Sequence, residues 1–398
     1  MNLTAMLQGS IAVSHEERLV AITLLTGERY VLSELELQLL SALPSSHWLQ
    51  IDQVPHPSAR ETAAPLIDAG LVLADPAEGA HAALRAREER FGAIDWDEYA
   101  AHYHVMSRVK DQDVGEQVVH AVEAPSGAPA DSRERLQEYV ELASSMSRSL
   151  AANAWYGPPP PHFHRVDNPR EALELPIPRV RGELFDLLTS RKTIRVYDQA
   201  NPVTAEELST LLYYTYGAQS TVELIPGLVG IRKTSPSGGS LHPIEAYPLV
   251  LNVRGVETGL YHYSVERHAL ELLRPMTRPE AEQMVETMAL GQSYFRSAHA
   301  VFILTARWYR NFWKYRRAPK SYRVIHVDAG HLSQTLYLLC QRMGLGAFYT
   351  GAVNDINIED VLQLDPLQEG VIGISGCGRP LNGGAPLTLI TTPYVPPR

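Results

Sequence analysis

Four consecutive prolines, Pro158–Pro161, place the strongest single constraint on how this chain folds. Each ring fixes its own φ and removes a backbone N–H donor, so the run is extended and cannot lie inside a helix or a central strand. It predicts a semi-rigid linker that lies over a domain surface. We therefore predict three regions: a small domain over residues 1–80, a helical and Pro-rich connector over 81–180 that includes helical spacing at 133–152, and a second domain over 181–398.

The N-terminal region has the pattern of a winged-helix-like domain. Two short strands are predicted between Ala12 and Leu32, and Ser33 with Glu36 three positions later forms a capping box that begins a helix. A second helix is predicted near 59–69, ended by Gly70, and the apolar run LVLAD follows as a strand. Other small α+β domains share this order, and the fold alone would not indicate DNA binding.

Composition excludes several classes of protein. The 398 residues are 45% hydrophobic, which is enough for two or three domains with cores of their own, and the net charge is -10. An acidic chain argues against general binding to nucleic acid or to an anionic membrane, since phosphate binding needs clustered Lys and Arg. No signal peptide and no apolar run of ~18 residues is evident, so a cytoplasmic location is expected.

Metal and disulfide sites are not predicted. His162 and His164 form a close pair but have no third ligand at a suitable spacing. Cys340 lies in an apolar, helix-like run and Cys377 lies in a glycine-rich segment that reads as a turn, and the two are expected to be ordinary reduced thiols.

Residues 181–398 alternate between helical and strand patterns, which indicates an α+β domain. Thr204 is predicted to cap one helix, and further helices are predicted over 181–188, 278–288 and 322–343. Strands are predicted at IEAYPLVLNV, AVFILTARW, LGAFYTGAV and GVIGISGCGRP, with a hairpin at GLYHYSVERHALELL. Neither the GxGxxG dinucleotide fingerprint nor a P-loop is present.

Three segments have the chemistry of a phosphate site. In SRKTIR, the residues Arg191, Thr193 and Arg195 lie two apart and share one face of an extended segment, where they supply charged and hydroxyl donors. The loop KTSPSGGSLHP has paired glycines that let the backbone approach a ligand. GISGCGRP reads as a strand that ends in a glycine-rich turn with Arg379. Taken singly, each also fits a solvated turn or surface loop.

These segments occur in the order of one known family. The ordered series is SRKTIRVY, TSPSGGSLHPIEAYPLV, GLYHY, FWKY, SYRVIHVDAGHLSQTLYLLCQRMGLGAF, GAVND and GVIGISGCGRP. It resembles the SagB-type dehydrogenases, flavoproteins of the nitroreductase superfamily that oxidise azolines to azoles in ribosomally made peptides. The resemblance covers about residues 181–385 and, more weakly, the N-terminal region and the connector.

The resemblance implies an α+β nitroreductase-like fold, in which a mixed central sheet is flanked by helices, and a homodimer with FMN at the subunit interface. It implies a precursor peptide as substrate and a cyclodehydratase as a possible partner. By motif, Arg191 and Thr193 match the phosphate-binding residues, and Thr350 and Gly351 match the segment that approaches flavin N5. The loop that lines the ring and ribityl chain, usually from the other subunit, is matched by Pro236, Ser237, Gly238 and Ser240. Arg195 and Arg379 are further candidates for cofactor binding.

Lys314 and Tyr315 match the catalytic pair of the azoline oxidases. Aromatising an azoline removes a proton from carbon and a hydride equivalent, so a positioned base must take the proton while the flavin takes the hydride. Arg310, Arg316 and Arg317 surround the pair in sequence and could favour a neutral Lys314. The family usually has Gly where this chain has Arg316, which indicates a loop of different shape. The aromatic- and Arg-rich segment that carries the pair could also be only a binding surface.

Three functions therefore remain open from the sequence. The leading hypothesis is an FMN-dependent peptide oxidase. The alternatives are a generic NAD(P)H-dependent nitro- or quinone reductase on the same fold, and a non-catalytic scaffold that recognises peptides.

Overall fold

The computed structural model of this chain describes residues 2–5, 11–15, 19–25, 27–44, 47–75, 79–113, 163, 170–171, 173–178 and 180–381. The helix predicted over 133–152, the proline run and the pair His162 and His164 lie outside these residues.

The N-terminal residues form two three-stranded antiparallel sheets, with strand orders β5-β1-β6 and β2-β3-β4, beside two helices. Their bounds are β1 Asn2–Ala5, β2 Ile11–His15, β3 Leu19–Thr23, β4 Arg29–Val31, α1 Glu34–Ala42, β5 Leu49–Gln50, α2 Ala59–Asp68 and β6 Val72–Asp75. The predicted capping box is confirmed, because Ser33 Oγ accepts from the Glu36 N–H and the Glu36 carboxylate accepts from the Ser33 N–H. The two predicted helices and the strand after them are also observed, with the short strand β5 between the helices and Gly70 at φ +68° after α2.

Two further helices, α3 (Ala80–Ile94) and α4 (Glu98–Ser107), follow the N-terminal sheets. Trp96, between the two helices, and His104 of α4 are buried against residues of the C-terminal domain. The Trp96 indole donates to the Leu367 carbonyl at 2.9 Å. The first part of the predicted connector is thus helical and packs on the second domain.

The C-terminal domain is built on a six-stranded sheet of order β13-β12-β10-β14-β16-β15. Its strands are β10 Ile244–Val250, β12 Gly259–Ser264, β13 Ala269–Pro275, β14 Ala300–Arg307, β15 Gly346–Thr350 and β16 Glu369–Gly378. Every pair of these strands is antiparallel. A parallel bridge from Thr193 to Ala347 at the β15 edge gives the sheet its mixed character. The predicted α+β class is confirmed.

Smaller strands and six helices complete the described part of this domain. The strands are β7 Val203–Thr204, β8 Ser220–Ile225, β9 Leu228–Arg232 and β11 Val253–Arg254. The helices are α5 Glu183–Ser190, α6 Ala205–Thr215, α7 Arg278–Met288, α8 Trp308–Tyr315, α9 Lys320–Arg342 and α10 Asp355–Leu362. Among the described residues, no helix has the length and apolar character that crossing a bilayer requires.

Alternation along β14 explains why the sheet has a helix layer on each face. Successive side chains of a strand point to opposite faces. Phe302 and Leu304 therefore join one core with α6 and α9, whereas Val301 and Ile303 join another with α7 and α10. All four side chains are fully buried. The sheet thus holds α9, the longest described helix, in a fixed position across one face.

The glycine-rich turn predicted at the end of GVIGISGCGRP is wrong, because β16 continues to Gly378. Gly376 and Gly378 are instead needed for close packing. A Cβ on Gly376 would lie under 3.0 Å from the Phe348 ring, and one on Gly378 would lie 2.7 Å from the Tyr197 ring. Cys377, between them, is a buried free thiol of the strand, and Cys340 is a buried free thiol of α9.

Gly376→Ala is expected to lower the free energy of unfolding by about 1–3 kcal/mol, because the added methyl group overpacks the site of the buried Phe348 ring. Gly330→Ala is the matched control. No atom lies within 4 Å of a Cβ at Gly330, and replacing a helical glycine by alanine stabilises by about 0.5–1 kcal/mol. Urea midpoints at unchanged m-value measure both effects. Equal midpoints for the two variants would contradict the packing argument.

Candidate active site

The first group of candidate residues lies where α5 ends beside β15. The Ile194 N–H donates to the Ala347 carbonyl at 2.9 Å, which holds this segment against the sheet edge. The hydroxyls of Thr193 and Tyr337 lie 3.2 Å apart, and the Arg191 guanidinium lies 5.3 Å from the centre of the Tyr337 ring. Arg191 and Thr193 thus both contact Tyr337 of α9.

Tyr337 was not identified from the sequence, although it organises this corner. Its hydroxyl accepts from the Tyr349 N–H at 3.0 Å, so it ties α9 to β15 as well as to Thr193. Arg195 is directed elsewhere. Its carbonyl accepts from Ser297 Oγ, and its charge opposes the rise in pKa that burial gives Tyr294.

The second group is the loop from Pro236 to His242, which is held by one buried carboxylate. Asp328 on α9 accepts from Ser237 Oγ at 2.6 Å and from the Gly238 N–H at 3.0 Å, and only 3% of Asp328 is exposed. Ser237 Oγ in turn accepts from the His242 N–H at 2.9 Å. Asp328 was also not identified from the sequence. Its position just before the AGH motif was the available signal.

The loop reaches the proposed catalytic pair through Gly239. Lys314 Nζ donates to the Gly239 carbonyl at 3.3 Å, and a Cβ on Gly239 would collide with the Tyr315 hydroxyl. Gly239 also has φ +65°, a conformation that favours glycine. Gly238 and Ser240 belong to the same short turn. A Cβ on Gly238 would collide with the Val324 side chain of α9. The structure therefore brings Lys314 and Tyr315 together with the Ser- and Gly-rich loop.

The segment that carries Lys314 was predicted as a loop, and this is wrong, because residues 308–315 form α8. Two buried side chains, Trp308 and Phe312, anchor the helix. Their rings pack with Trp96 at centroid distances of 5.2 and 4.8 Å. Lys314 at the last turn is exposed. The helix has eight residues and follows β14 directly, so its helical periodicity is not evident in the sequence. These long-range contacts specify it instead.

The three arginines near Lys314 have partners of their own. Arg310 donates to the Leu241 carbonyl at 2.8 Å. Arg316 and Arg317 approach the Asp95 carboxylate at 3.9 and 3.2 Å. Arg316, at the position where the family usually has Gly, takes φ +52°. The chain thus keeps a glycine-like turn after the Lys-Tyr pair and adds a link to the end of α3.

The remaining candidates lie at strand ends. Thr350 ends β15, and its hydroxyl accepts from the Ala352 N–H at 3.0 Å. Gly351 follows in open space, with no atom within 4 Å of an added Cβ. Arg379 donates to both carboxylate oxygens of Glu207 at 2.9 Å, and Glu207 also caps α6. Arg379 therefore fixes the start of α6.

Helix α9 relates the two groups to each other. Asp328, under the loop, and Tyr337, beside Arg191, lie nine residues apart on it. At a rise of 1.5 Å per residue, this separates them by about 14 Å along the helix axis. One chain thus presents two separate groups of candidate residues on one rigid element.

His104 makes the aromatic packing behind α8 sensitive to acid. Its Nε2–H donates to the Pro366 carbonyl at 3.0 Å, and burial, with the Arg108 charge, lowers the pKa of His104 to about 3. An unfolded His binds a proton below about pH 6.5. The unfolded state therefore holds more protons between these pH values, and stability falls as the pH falls through that window.

Acidification from pH 7 to pH 5 is expected to remove about 2 kcal/mol of stability through His104. Urea unfolding at the two pH values measures the loss, which should be smaller in His104→Gln. The same pH dependence in both proteins would rule out this histidine as the cause.

The part of the chain that holds these residues is similar in sequence to known proteins. The model of the nitroreductase family matches residues 188–379, a range that holds all the candidate residues. A nitroreductase-type protein of Methanocaldococcus jannaschii is 31% identical over 195 residues, which cover 49% of this chain and 91% of that protein. The chain belongs to the nitroreductase family. Proteins of this family are oxidoreductases and generally use FMN.

Another relative of this nitroreductase is named for the processing of trifolitoxin. The trifolitoxin-processing protein TfxB of Rhizobium leguminosarum bv. trifolii is 31% identical over 217 residues, or 54% of this chain, and the chain spans 58% of the length of TfxB. This agrees with the SagB-type resemblance found in the sequence.

Two solved structures are similar to parts of this chain. A nitroreductase of Anabaena variabilis has 30% identity and a TM-score of 0.41, over 49% of this chain and 37% of its own. A chain of the E. coli microcin synthetase McbBCD complex, solved with truncated pro-MccB17 bound, has 16% identity and a TM-score of 0.48, over 74% of this chain and 97% of its own.

Proposed function

We propose that this nitroreductase is an FMN-dependent dehydrogenase that oxidises azoline rings in a precursor peptide to azoles. The observation that carries the proposal is the contact of Lys314 and Tyr315 with Gly239 of the Ser- and Gly-rich loop. The relative TfxB, a peptide-processing protein, supports a peptide as substrate.

The residues beside β15 fit FMN. Arg191 and Thr193 supply a charged donor and a hydroxyl of the kind that a phosphate monoester needs. Gly351 leaves room for a ring system beside β15, since nothing lies within 4 Å of an added Cβ. Bound FMN would supply the acceptor for the hydride equivalent.

The roles of the protein residues follow from their positions. Lys314 takes the proton from the azoline carbon, and it must be neutral to do so. Tyr315, half-buried beside it with Lys314 Nζ 5.6 Å from its ring centre, orients the substrate ring. Asp328 keeps the loop in register with Lys314 by holding Ser237 and Gly238.

A homodimer is part of the proposal. The two groups of candidate residues lie about 14 Å apart along α9. The sequence resemblance implies that the loop lining the flavin comes from the other subunit, so a second subunit would bring the two groups to one flavin. Helix α5 buries none of its residues in the single chain, and Leu184, Phe185 and Leu188 are each more than two-fifths exposed. Exposed apolar faces of this kind mark interfaces.

A second candidate function is a generic NAD(P)H-dependent nitro- or quinone reductase. It is favoured by the nitroreductase-type relative of M. jannaschii, of which the chain covers 91%. Rapid turnover of NAD(P)H with quinones, and none with azoline peptides, would select it.

The absorbance spectrum of the purified protein, with the released pigment identified, tests the proposal first. We expect FMN near one per subunit and a dimer by light scattering. The flavoprotein should then convert a thiazoline-containing peptide to the thiazole, with a loss of two hydrogen atoms. A colourless protein that does not bind added FMN would contradict the proposal and favour a scaffold.

Arg191→Ala is expected to weaken FMN retention by about 1.5–3 kcal/mol, since a charge-assisted contact to the phosphate is lost. Equilibrium dialysis of released FMN measures this. Arg342→Ala is the control, because Arg342 is an exposed arginine of α9 that pairs with Glu183. Unchanged affinity in Arg191→Ala would remove Arg191 from the phosphate site.

A further inference from the structure

A cavity of about 520 Å³ lies between α4 and the first turns of α9. We call it the tyrosine cleft, and it is lined by Tyr99, Tyr103, Pro319, Tyr322, Arg323 and His326. Its volume is in the range of ligand sites. None of the residues discussed above as cofactor-binding or catalytic lines it.

The walls of the tyrosine cleft are aromatic and largely open to solvent. Tyr99 and Tyr103 lie four residues apart on one face of α4 and are 76% and 66% exposed. Exposed tyrosines grouped around a cavity are typical of recognition surfaces, because a tyrosine gives a large contact area at low entropic cost. The two rings are therefore available to a ligand.

The floor of the cleft is fixed before any ligand binds. Tyr322 is 7% exposed, and its ring meets that of Tyr103 edge-on at 6.2 Å and that of His326 at 4.7 Å. The His326 Nδ1–H donates to the Tyr322 carbonyl at 3.0 Å, and His104 contacts the Tyr322 hydroxyl at 3.3 Å. A preorganised surface of this kind loses little entropy on binding.

The charge of the cleft is positive, in a chain of net charge -10. None of its lining residues carries a carboxylate. Arg323 is exposed and forms no ion pair within the described residues, whereas Arg316 and Arg317 nearby pair with Asp95. A planar guanidinium without a partner beside aromatic rings suits a carboxylate on a ligand that also stacks.

The position of the cleft relates it to the candidate active site. Pro319 lines the cleft and lies four residues after Tyr315. Four residues span at most about 14 Å. A peptide with one residue at Tyr315 therefore needs only about four extended residues to reach the cleft.

We propose that the tyrosine cleft binds an acidic, aromatic segment of the peptide substrate, a few residues from the residue that is oxidised. The aromatic group stacks against Tyr99 and Tyr103, and the carboxylate pairs with Arg323. This inference rests on the proposed function in taking a peptide as the substrate.

Binding of three short peptides to the full chain tests the inference by ligand-observed NMR. The probes are acetyl-Glu-Trp-Glu-amide, acetyl-Glu-Ala-Glu-amide and acetyl-Lys-Trp-Lys-amide. The first peptide should bind at least about fivefold more tightly than either of the others. Tyr99→Ala and Tyr103→Ala should remove the preference for Trp, and Arg323→Gln should remove the preference for Glu.

Tyr214→Ala and Arg254→Gln are the controls, since they change an exposed tyrosine and an exposed arginine away from the cleft. Tyr99 is so exposed that its loss should not disturb folding. Equal binding of the three probes, or the same affinities in cleft and control variants, would overturn the inference. The assay needs neither flavin nor turnover, so a failure of azoline oxidation beside intact probe binding counts against the proposed function alone.

Discussion

Lys314→Ala should retain FMN and lose peptide oxidation, with kcat lowered by at least about 100-fold. The side chain reaches the turn at Gly239 and is exposed at the end of α8, where a substrate can approach it. Its removal leaves the buried anchors Trp308 and Phe312 in place, so the helix should remain folded. Single-turnover oxidation of a thiazoline peptide, with flavin content measured on the same sample, gives both results.

Two further variants sharpen this test. Lys320→Ala removes an exposed lysine six residues away and should leave kcat unchanged. Tyr315→Phe keeps the ring and removes only the hydroxyl, so it should lower kcat less than Lys314→Ala does. If Lys314→Ala oxidises the peptide at the rate of the unmodified protein, Lys314 is not the base.

Asp328→Ala should destabilise the loop from Pro236 to His242 by about 3 kcal/mol, because two charge-assisted hydrogen bonds are lost. The half-buried Ser237 hydroxyl and Gly238 N–H then lack their acceptor. Since this loop contacts Lys314, we expect flavin retention and peptide oxidation to fall together. Hydrogen exchange of the Gly238 amide measures the loss of order directly.

Asp328→Asn separates hydrogen bonding from charge. The amide oxygen can still accept from the Gly238 N–H, and Ser237 Oγ can accept from the new amide group, so this variant should recover part of the stability. Asp360→Ala is the control on another helix, because its carboxylate is exposed and forms a surface ion pair with Lys110. Unchanged exchange at Gly238 in Asp328→Ala would refute the anchoring role.

The sequence predicted most of the regular structure because local patterns specify it. The capping box at Ser33 and the N-cap at Thr204 begin α1 and α6 as expected. The buried strand β14 was evident as an unbroken apolar run that is covered on both faces. These features depend on residues within a few positions of one another.

The wrong or missing predictions fall where contacts between residues far apart in the sequence determine the structure. Gly376 and Gly378 resemble a turn locally, but they continue a strand because Phe348 and Tyr197 occupy the space beside them. For the same reason, Asp328 and Tyr337 could not be assigned to the site from one sequence. Each lies on an amphipathic helix among residues of similar type, and its role appears only once the helix crosses the sheet.

The aromatic packing around Trp308 bears on where this protein can be divided. Similarity to nitroreductases begins at residue 188, yet Trp96 and His104 lie against Trp308 and Tyr322 in the same core. A shortened version that starts at the family boundary would leave these rings facing water and would need the missing helices to be supplied as a separate fragment. The segment that matches the family is therefore shorter than the segment that we expect to fold. An expressed C-terminal fragment should begin before α3.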